Sequence, residues 1–356
     1  MKQKTLPYIE ALRHLYSLNR LAKIKEGINA LCQRVSKTKE DAEGFGKFHI
    51  NGEYALINKS YLSDELNQIL NSQTLERAKY YIKRLIKALT IIRTGKINDL
   101  NLNRWKEYSD IQTDSLWEVD KRDRSGVHSA GYWGNFIPQV PNQLLRRYTK
   151  SGEWLLDGFL GSGTSLIECK KLGRNGIGIE LQDSIAKKAI ASIEKEKTNH
   201  STKCHVITGD SAQVNLNKHL NQLGITSVQF VLLHPPYWDI IKFSDLKEDL
   251  SNASTRENFL SEFGHIVDNC SKILDKGRFM AVVIGDKYCN GEWIPLGFET
   301  MHEVLQRDFT LKSIIVKNFN QTKAKRGQEK LWRYRALLGG FYVFKHEYIF
   351  LFKKKA

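Results

Sequence analysis

Long apolar runs are missing from this sequence. No uninterrupted hydrophobic stretch approaches the ~20 residues that cross a bilayer, which excludes a spanning helix. Cysteines are few and unpaired: Cys32, Cys169, Cys204, Cys270 and Cys289 make no CxxC motif. Neither a zinc site nor a disulfide framework is expected, and each cysteine reads as a small buried hydrophobe. The opening residues, MKQKTLPYIEALRHLY, lack the apolar core of a secretory signal and are amphipathic with mixed charge, so a cytoplasmic protein is expected. Internal repeats and low-complexity tracts are absent as well.

Acidic residues are also in short supply. Against 55 Lys and Arg stand 39 Asp and Glu, a formal net charge of +16. Such a surplus suits a polyanionic partner, because Lys and Arg displace the counterions condensed on phosphates. The excess concentrates in residues 317–356, where Lys and Arg are opposed only by Glu329 and Glu347. Within it, NQTKAKRGQEKLWRYR interleaves Lys323, Lys325, Arg326, Lys330, Arg333 and Arg335 with Trp332 and Tyr334. That mixture is fit to follow a phosphate backbone and stack on bases, or else is a solvated basic loop.

The remaining composition is ordinary for a soluble globular protein: 356 residues, 41% hydrophobic and 26% charged, enough for two domains or one large domain with an appendage. Residues 1–120 read as mainly helical, with apolar residues at helical spacing in YIEALRHLYSLNRLAKIKEGINALCQRV and LERAKYYIKRLIKALTII. Between them a short hairpin on Asn51-Gly52 is expected. The charged stretch EVDKRDRSGVHSAG marks the boundary, and residues 121–356 form the second domain, with a basic insertion at about 317–340. There WLLDGFL, RNGIGIEL, KCHVITGD, VQFVLLH, RFMAVVIGD and HEYIFLFKK are strand candidates, several of them separated by helical segments. The pattern predicts an α/β fold, a mostly parallel sheet covered by helices, with the last strand as an antiparallel edge. Ligands of such sheets bind beyond the carboxyl ends of the strands.

Successive strand ends carry the candidate ligand site. LLDGFLGSGTSLIECKKLG places Gly161 and Gly163 where the backbone can turn tightly into a helix starting near Thr164. The positive end of that helix suits an anionic or carboxylate-bearing ligand, although a purely structural turn would read the same way. The next strand ends in Glu180, placed to accept hydrogen bonds from two ribose hydroxyls. The third ends in Asp210, placed for an adenine amino group or as an N-cap of the following segment. VLLHPPYW then ends a strand in a histidine, two prolines and two aromatics.

These residues resemble a family. DGFLGSGTSLIE followed by IGIEL is similar to the S-adenosylmethionine loop of the DNA amino-methyltransferases, which methylate cytosine N4 or adenine N6. HPPYW resembles their catalytic tetrapeptide, usually Asp, Asn or Ser followed by Pro-Pro-aromatic. FIPQVPNQLLRRYT resembles the family's segment at the methionine end of the cofactor and HEYIFLFKK its last strand, so the resemblance covers roughly residues 125–356. It implies a Rossmann-like methyltransferase fold, S-adenosylmethionine as cofactor, and no metal, since methyl transfer from a sulfonium needs none. Phe136, Pro138, Asp157, Phe159, Gly161, Gly163 and Thr164 would surround the methionine portion, and Glu180 and Asp210 would hold ribose and adenine. DNA with the target base flipped out is the implied substrate, and a cognate restriction endonuclease the implied partner. The sequence departs from the family's pattern in two ways. Gly158 stands where a proline is usual, which would loosen the loop, and the cofactor motif precedes the catalytic one. Target recognition is left to the N-terminal helices or to the basic segment.

An exocyclic amino nitrogen is a poor nucleophile because its lone pair is delocalised into the ring, and acceptors around its N–H bonds favour the reactive pyramidal form. By the resemblance, the first side chain of the motif accepts one N–H, the carbonyl of Pro235 accepts the other, and Tyr237 stacks on the base, with Trp238 extending the wall. Pro235 and Pro236 stiffen the segment and remove amide donors. Histidine can accept only when neutral, and with an ordinary pKa of about 6.5 it is mostly so above neutral pH. His234 therefore reads as an acceptor in place of the usual oxygen, or as the mark of an inactive nucleic-acid-binding scaffold. In the family it resembles, a non-acidic residue before Pro-Pro-Tyr-Trp goes with cytosine N4 more than with adenine N6, and guanine N2 of RNA is the further alternative, because tRNA enzymes carry similar motifs in this order. Asp286 is a candidate for the substrate rim; Asp239, Lys242 and Asp245 read as solvated charge on a loop, and His128 and His346 as structural.

Overall fold

The computed structural model describes residues 6–37, 46–50, 53–128, 134–319 and 327–356. It divides into two units, Met1–Ile111 and Gln112–Ala356.

The first unit contains α1 (Leu6–Ser17), α2 (Leu21–Lys37), β1 (Gly46–Ile50), β2 (Glu53–Ile57), α3 (Lys59–Leu70) and α4 (Leu75–Thr90). Ile24, Ile28, Leu31 and Val35 recur at helical spacing on α2, as do Ala78, Ile82, Leu85 and Leu89 on α4, and both stripes are buried in one core. Side-chain caps set where helices begin. Thr74 accepts the Arg77 amide at 3.2 Å to start α4, and Asn58 accepts that of Ser60 at 2.8 Å to start α3. β1 and β2 pair antiparallel with Ile50 opposite Glu53, the register of a two-residue hairpin, while Asn51-Gly52 itself lies outside the described residues.

The second unit runs β3 (Leu116–Trp117), α5 (Gln139–Tyr148), β4 (Trp154–Asp157), α6 (Thr164–Leu172), β5 (Asn175–Glu180), α7 (Asp183–Lys195), β6 (Cys204–Thr208), α8 (Leu216–Leu223) and β7 (Val228–Leu233). It continues with α9 (Arg256–Lys272), β8 (Leu274–Ile284), β9 (Lys287–Cys289), β10 (Glu292–Ile294), α10 (Leu296–Leu305), β11 (Phe309–Asn318), α11 (Glu329–Gly339) and β12 (His346–Lys354). The unit starts upstream of the boundary expected at residue 120, because Leu116-Trp117 already pairs with Val316-Lys317.

One sheet of eight strands, in the order β3-β11-β12-β8-β7-β4-β5-β6, organises this unit. All its pairings are parallel except those that β12 makes with β8 and β11, the Rossmann-like methyltransferase arrangement that the resemblance implies. The antiparallel strand differs from expectation in its place, since β12 lies inside the sheet rather than at its edge. Its run from Tyr348 to Phe352 is buried throughout, which an interior strand requires and an edge strand would not. Side chains alternate across the strands, so Leu156, Val231 and Leu233 pack with Phe259 and Phe263 of α9, while Phe230 takes the other face and stacks on Tyr148 of α5 at 5.9 Å.

Two features of the topology place a site. The chain moves outward from β4 through β5 to β6, then returns to β7 on the other side of β4, so a crevice opens between the β4 and β7 ends. Because β11 runs in the same sense as β8, Asn318 and His346, which bracket the basic insertion, stand at this same carboxyl edge.

Candidate active site

The glycine loop leaves β4 at Asp157, directly beside the strand that ends in the histidine motif. Asp157 pairs with Leu232 in register, and the Gly158 amide donates to the Leu232 carbonyl at 3.1 Å. Gly158 therefore does not loosen the loop. A proline there would lack the amide, and a Cβ would stand 2.6 Å from Leu233 Cδ2 in a fully buried core. Gly161 and Gly163 hold φ of 53° and 86°, left-handed values that fold the loop over the start of α6. No side chain caps that helix at Gly163, so its first turn is left facing the crevice with its positive end.

Carboxylates shape the loop from beneath. Asp157 is buried; it accepts the Phe159 amide at 2.9 Å and the Ser165 hydroxyl, and burial pushes its pKa up to about 6. Glu180, buried at the end of β5, accepts the Gly161 amide at 2.9 Å through Oε2 and the Gln182 amide at 3.0 Å through Oε1. Burial raises its pKa, and these two hydrogen bonds oppose the rise. Asp210 is half-buried and accepts the Ala212 amide at 2.9 Å, which ties the turn after β6. Thr164 donates to Asn135 Oδ1 at 2.7 Å, and the adjacent Phe136 ring lies 4.9 Å from that of His234. Buried Pro138 stands at the N-cap of α5. The segment before α5 thus touches both the glycine loop and the histidine motif.

The structure brings half-buried His234 into a polar chain, with Tyr237 and the buried pair Lys317 and Glu347, that reading the sequence missed. Lys317 on β11 and Glu347 on β12 are directly opposite each other, both buried, with Nζ 2.8 Å from Oε1. The other carboxylate oxygen accepts the Tyr237 hydroxyl at 2.8 Å, and that hydroxyl stands 3.5 Å from His234 Nε2. Burial works to raise the Glu347 pKa, but the Lys317 charge and the hydrogen bonds hold the carboxyl below its ordinary value. For His234, burial dominates and pushes the pKa down to about 4, aided by Lys317 and opposed by Glu347. The Tyr237 phenol is pushed far up by burial and by Glu347. A lone acid in the apolar run HEYIFLFKK and a lone lysine in SIIVKNF were the only signals in the sequence.

The remaining candidates take other places. Trp238 sits at φ 49°, donates its indole N–H to Ala253 at 2.8 Å, and carries Lys287 Nζ 4.1 Å over its ring. Lys287 also pairs with Asp239, whereas Lys242 and Asp245 form an exposed pair. Asp286 is buried and accepts from Trp293 Nε1 and the Gly297 amide, each at 2.9 Å, so it braces the hairpin β9–β10 and the start of α10. His128 bonds buried Glu168 at 2.6 Å, and His346 bonds Tyr348 at 3.1 Å. On α11, Lys330, Arg333 and Arg335 are exposed beside exposed Tyr334, Leu337 and Leu338; Lys323, Lys325 and Arg326 lie outside the described residues. Stacking of Phe341 on Tyr288 at 4.3 Å, and a tilted contact of Phe344 with Trp293 at 4.1 Å, anchor the end of this insertion to the hairpin beyond β8. Cys169 and Cys270 are fully buried, and all the cysteines are free.

Comparison with known proteins yields a family model described as DNA methylase, which matches residues 15–191 and 228–356. The chain is 38% identical over 73 residues to the Type II methyltransferase M.MjaII of Methanocaldococcus jannaschii, covering 20% of this chain and 13% of that protein. It is 34% identical over 99 residues to the Type II methyltransferase M2.DpnII of Streptococcus pneumoniae, covering 27% and 34%. To the Type II methyltransferase M.Cfr9I of Citrobacter freundii it is 32% identical over 89 residues, covering 24% and 27%. The matched stretches span no more than 34% of these relatives' own lengths.

Two outcomes follow from the geometry. Gly158→Pro loses the bond to Leu232 and forces a Cβ against Leu233, and should lower the unfolding free energy by about 1–3 kcal/mol, read from the denaturant midpoint. The His234 imidazole, with its pKa near 4, should stay neutral through the ordinary histidine range near pH 6.5 and take up its proton only as the pH falls through about 4. An NMR titration of that ring checks this, and a midpoint near 6.5 would contradict it.

Proposed function

The chain belongs to the DNA methylase family, and from that premise we propose that it transfers a methyl group from S-adenosylmethionine to an exocyclic amino group of a DNA base, cytosine N4 in the first place. The observation that carries the reading is the junction of β4 and β7, where the glycine loop and His234-Pro235-Pro236-Tyr237 leave neighbouring parallel strands into one crevice. A loop that binds and a motif that reacts must lie this close for direct transfer between two bound groups.

The residues present fit the cofactor. The open first turn of α6 and the left-handed backbone at Gly161 and Gly163 suit its carboxylate. Glu180 has each oxygen engaged once by backbone, so each keeps a lone pair for a ribose hydroxyl, and Asp210 serves the adenine amino group. Asp157, Phe159 and Thr164, with Phe136 and Pro138 across the crevice, enclose the methionine end. When bound there, S-adenosylmethionine supplies an electrophilic methyl group on a sulfonium.

The chain's own groups prepare the nucleophile. His234, neutral at physiological pH, accepts one amino N–H of the target base and the Pro235 carbonyl accepts the other, which localises the nitrogen lone pair. Tyr237 offers its ring to the base, which must leave the duplex to reach this edge. The exposed cations of α11 emerge from the same edge and engage phosphates, while the helical N-terminal unit shares in target reading. The relatives are named Type II methyltransferases, and an endonuclease of the same target site is the partner this reading implies.

Mass spectrometry of nucleosides from DNA and RNA of cells expressing the chain tests the proposal. N4-methylcytosine in DNA is expected, reduced about 100-fold or more by His234→Ala; N6-methyladenine would change the base, N2-methylguanosine in RNA would change the polymer, and the absence of all three sinks the activity. Replacing Lys330, Arg333 and Arg335 with Gln should flatten the dependence of duplex binding on salt, by about 0.9 in the log–log slope for each phosphate left without its cation. Fluorescence anisotropy across a salt series measures that change.

A further inference from the structure

We infer that Lys317, Glu347 and Tyr237 form a relay that holds neutral His234 as its Nε2–H tautomer and so leaves Nδ1 as the acceptor for the target amino group. The inference rests on the acceptor role proposed above for His234 and deepens it by naming the accepting atom and the residues that select it.

A neutral imidazole carries one donor and one acceptor, and the tautomer is set by what faces each nitrogen. Nε2 faces the Tyr237 hydroxyl at 3.5 Å. A hydroxyl can donate only one hydrogen, and here two acceptors compete for it. Glu347 Oε2 is nearer, at 2.8 Å, and it is ionised, which makes the stronger hydrogen bond. The tyrosine hydrogen is therefore committed to Glu347, and only an oxygen lone pair remains toward Nε2. The matching state of the imidazole carries its hydrogen on Nε2.

Lys317 completes the relay by keeping Glu347 charged. A buried carboxylate without a cation would gain a proton, and a protonated Glu347 could donate to the tyrosine oxygen and release the tyrosine hydrogen toward His234. The wrong tautomer would follow, with Nδ1 bearing a hydrogen against the incoming N–H. Direct cross-strand pairing of Lys317 with Glu347, one residue inside the carboxyl edge, keeps the ion pair within the sheet and within reach of the motif. Lys317 and Glu347 act through Tyr237 and are positioning residues. An oxygen in the first position of the motif needs no such selection, which is why the relay belongs with a histidine.

Nitrogen-15 NMR of the histidine-labelled full chain tests the tautomer without requiring turnover. His234 is assigned among ten histidines by its loss in His234→Asn. A pyrrole-type Nε2 with a pyridine-type Nδ1 is expected in the wild type, and a mixed pair in Tyr237→Phe, which keeps the ring and the Lys317–Glu347 pair. Tyr237→Phe should lower kcat about tenfold with KM for DNA within about twofold, and should cost less than about twofold in the His234→Asn background. Glu347→Gln should behave alike, and if burial of an unpaired Lys317 unfolds it, Tyr237→Phe alone decides. A pyrrole-type Nδ1 in the wild type, or equal losses in both backgrounds, overturns the relay. Full turnover by His234→Ala overturns instead the acceptor role itself, an outcome separate from the tautomer measurement.

Discussion

Two parallel strands that end at the same level, β4 and β7, set everything else in the site. Their register places Asp157 beside Leu232, and the last rung of the ladder extends past the strand end through the Gly158 amide. The chain then departs toward opposite sides of the sheet, and a crevice opens where the strand order reverses. The glycine loop, the histidine motif and the segment before α5 are consequences of that register, since Phe136 meets His234 and Asn135 meets Thr164 across it. Glycine at 158 belongs to the same constraint: close packing against Leu233 leaves no space for a side chain.

Burial decides the chemistry of the charged groups more than their identity does. Asp157 and Glu180 are pushed toward the neutral form because nearby donors only partly compensate the loss of water. Glu347, equally enclosed, goes the other way because a lysine is built opposite it. His234 stays neutral because Glu347, one tyrosine hydroxyl away, does not reverse the effect of its desolvation. An imidazole with its pKa lowered to about 4 is thereby kept neutral over the whole physiological range.

The single reversed strand has a long-range effect. Because β12 runs against its neighbours, the connection from β11 turns around at the carboxyl edge, the edge on which the crevice opens, rather than at the far end of the sheet. Aromatic contacts with the β9–β10 hairpin, from Phe341 and Phe344, then hold the segment before β12 at that edge.

Residue order alone made legible the alternation of strands and helices, the tight turns at Gly161 and Gly163, the acids at the strand ends and the proline-stiffened motif. Those are local matters of periodicity, backbone freedom and residue type. The basic insertion was equally plain, because charge is legible without folding. The interior place of β12, the tie at Gly158 and the Lys317–Glu347–Tyr237 chain arose only in three dimensions. Lys317 and Glu347 are 30 residues apart and Tyr237 is 110 residues from Glu347, so no local pattern connects them. Sheet register brings them together, and burial there turns two ordinary surface-type residues into the groups that govern a histidine.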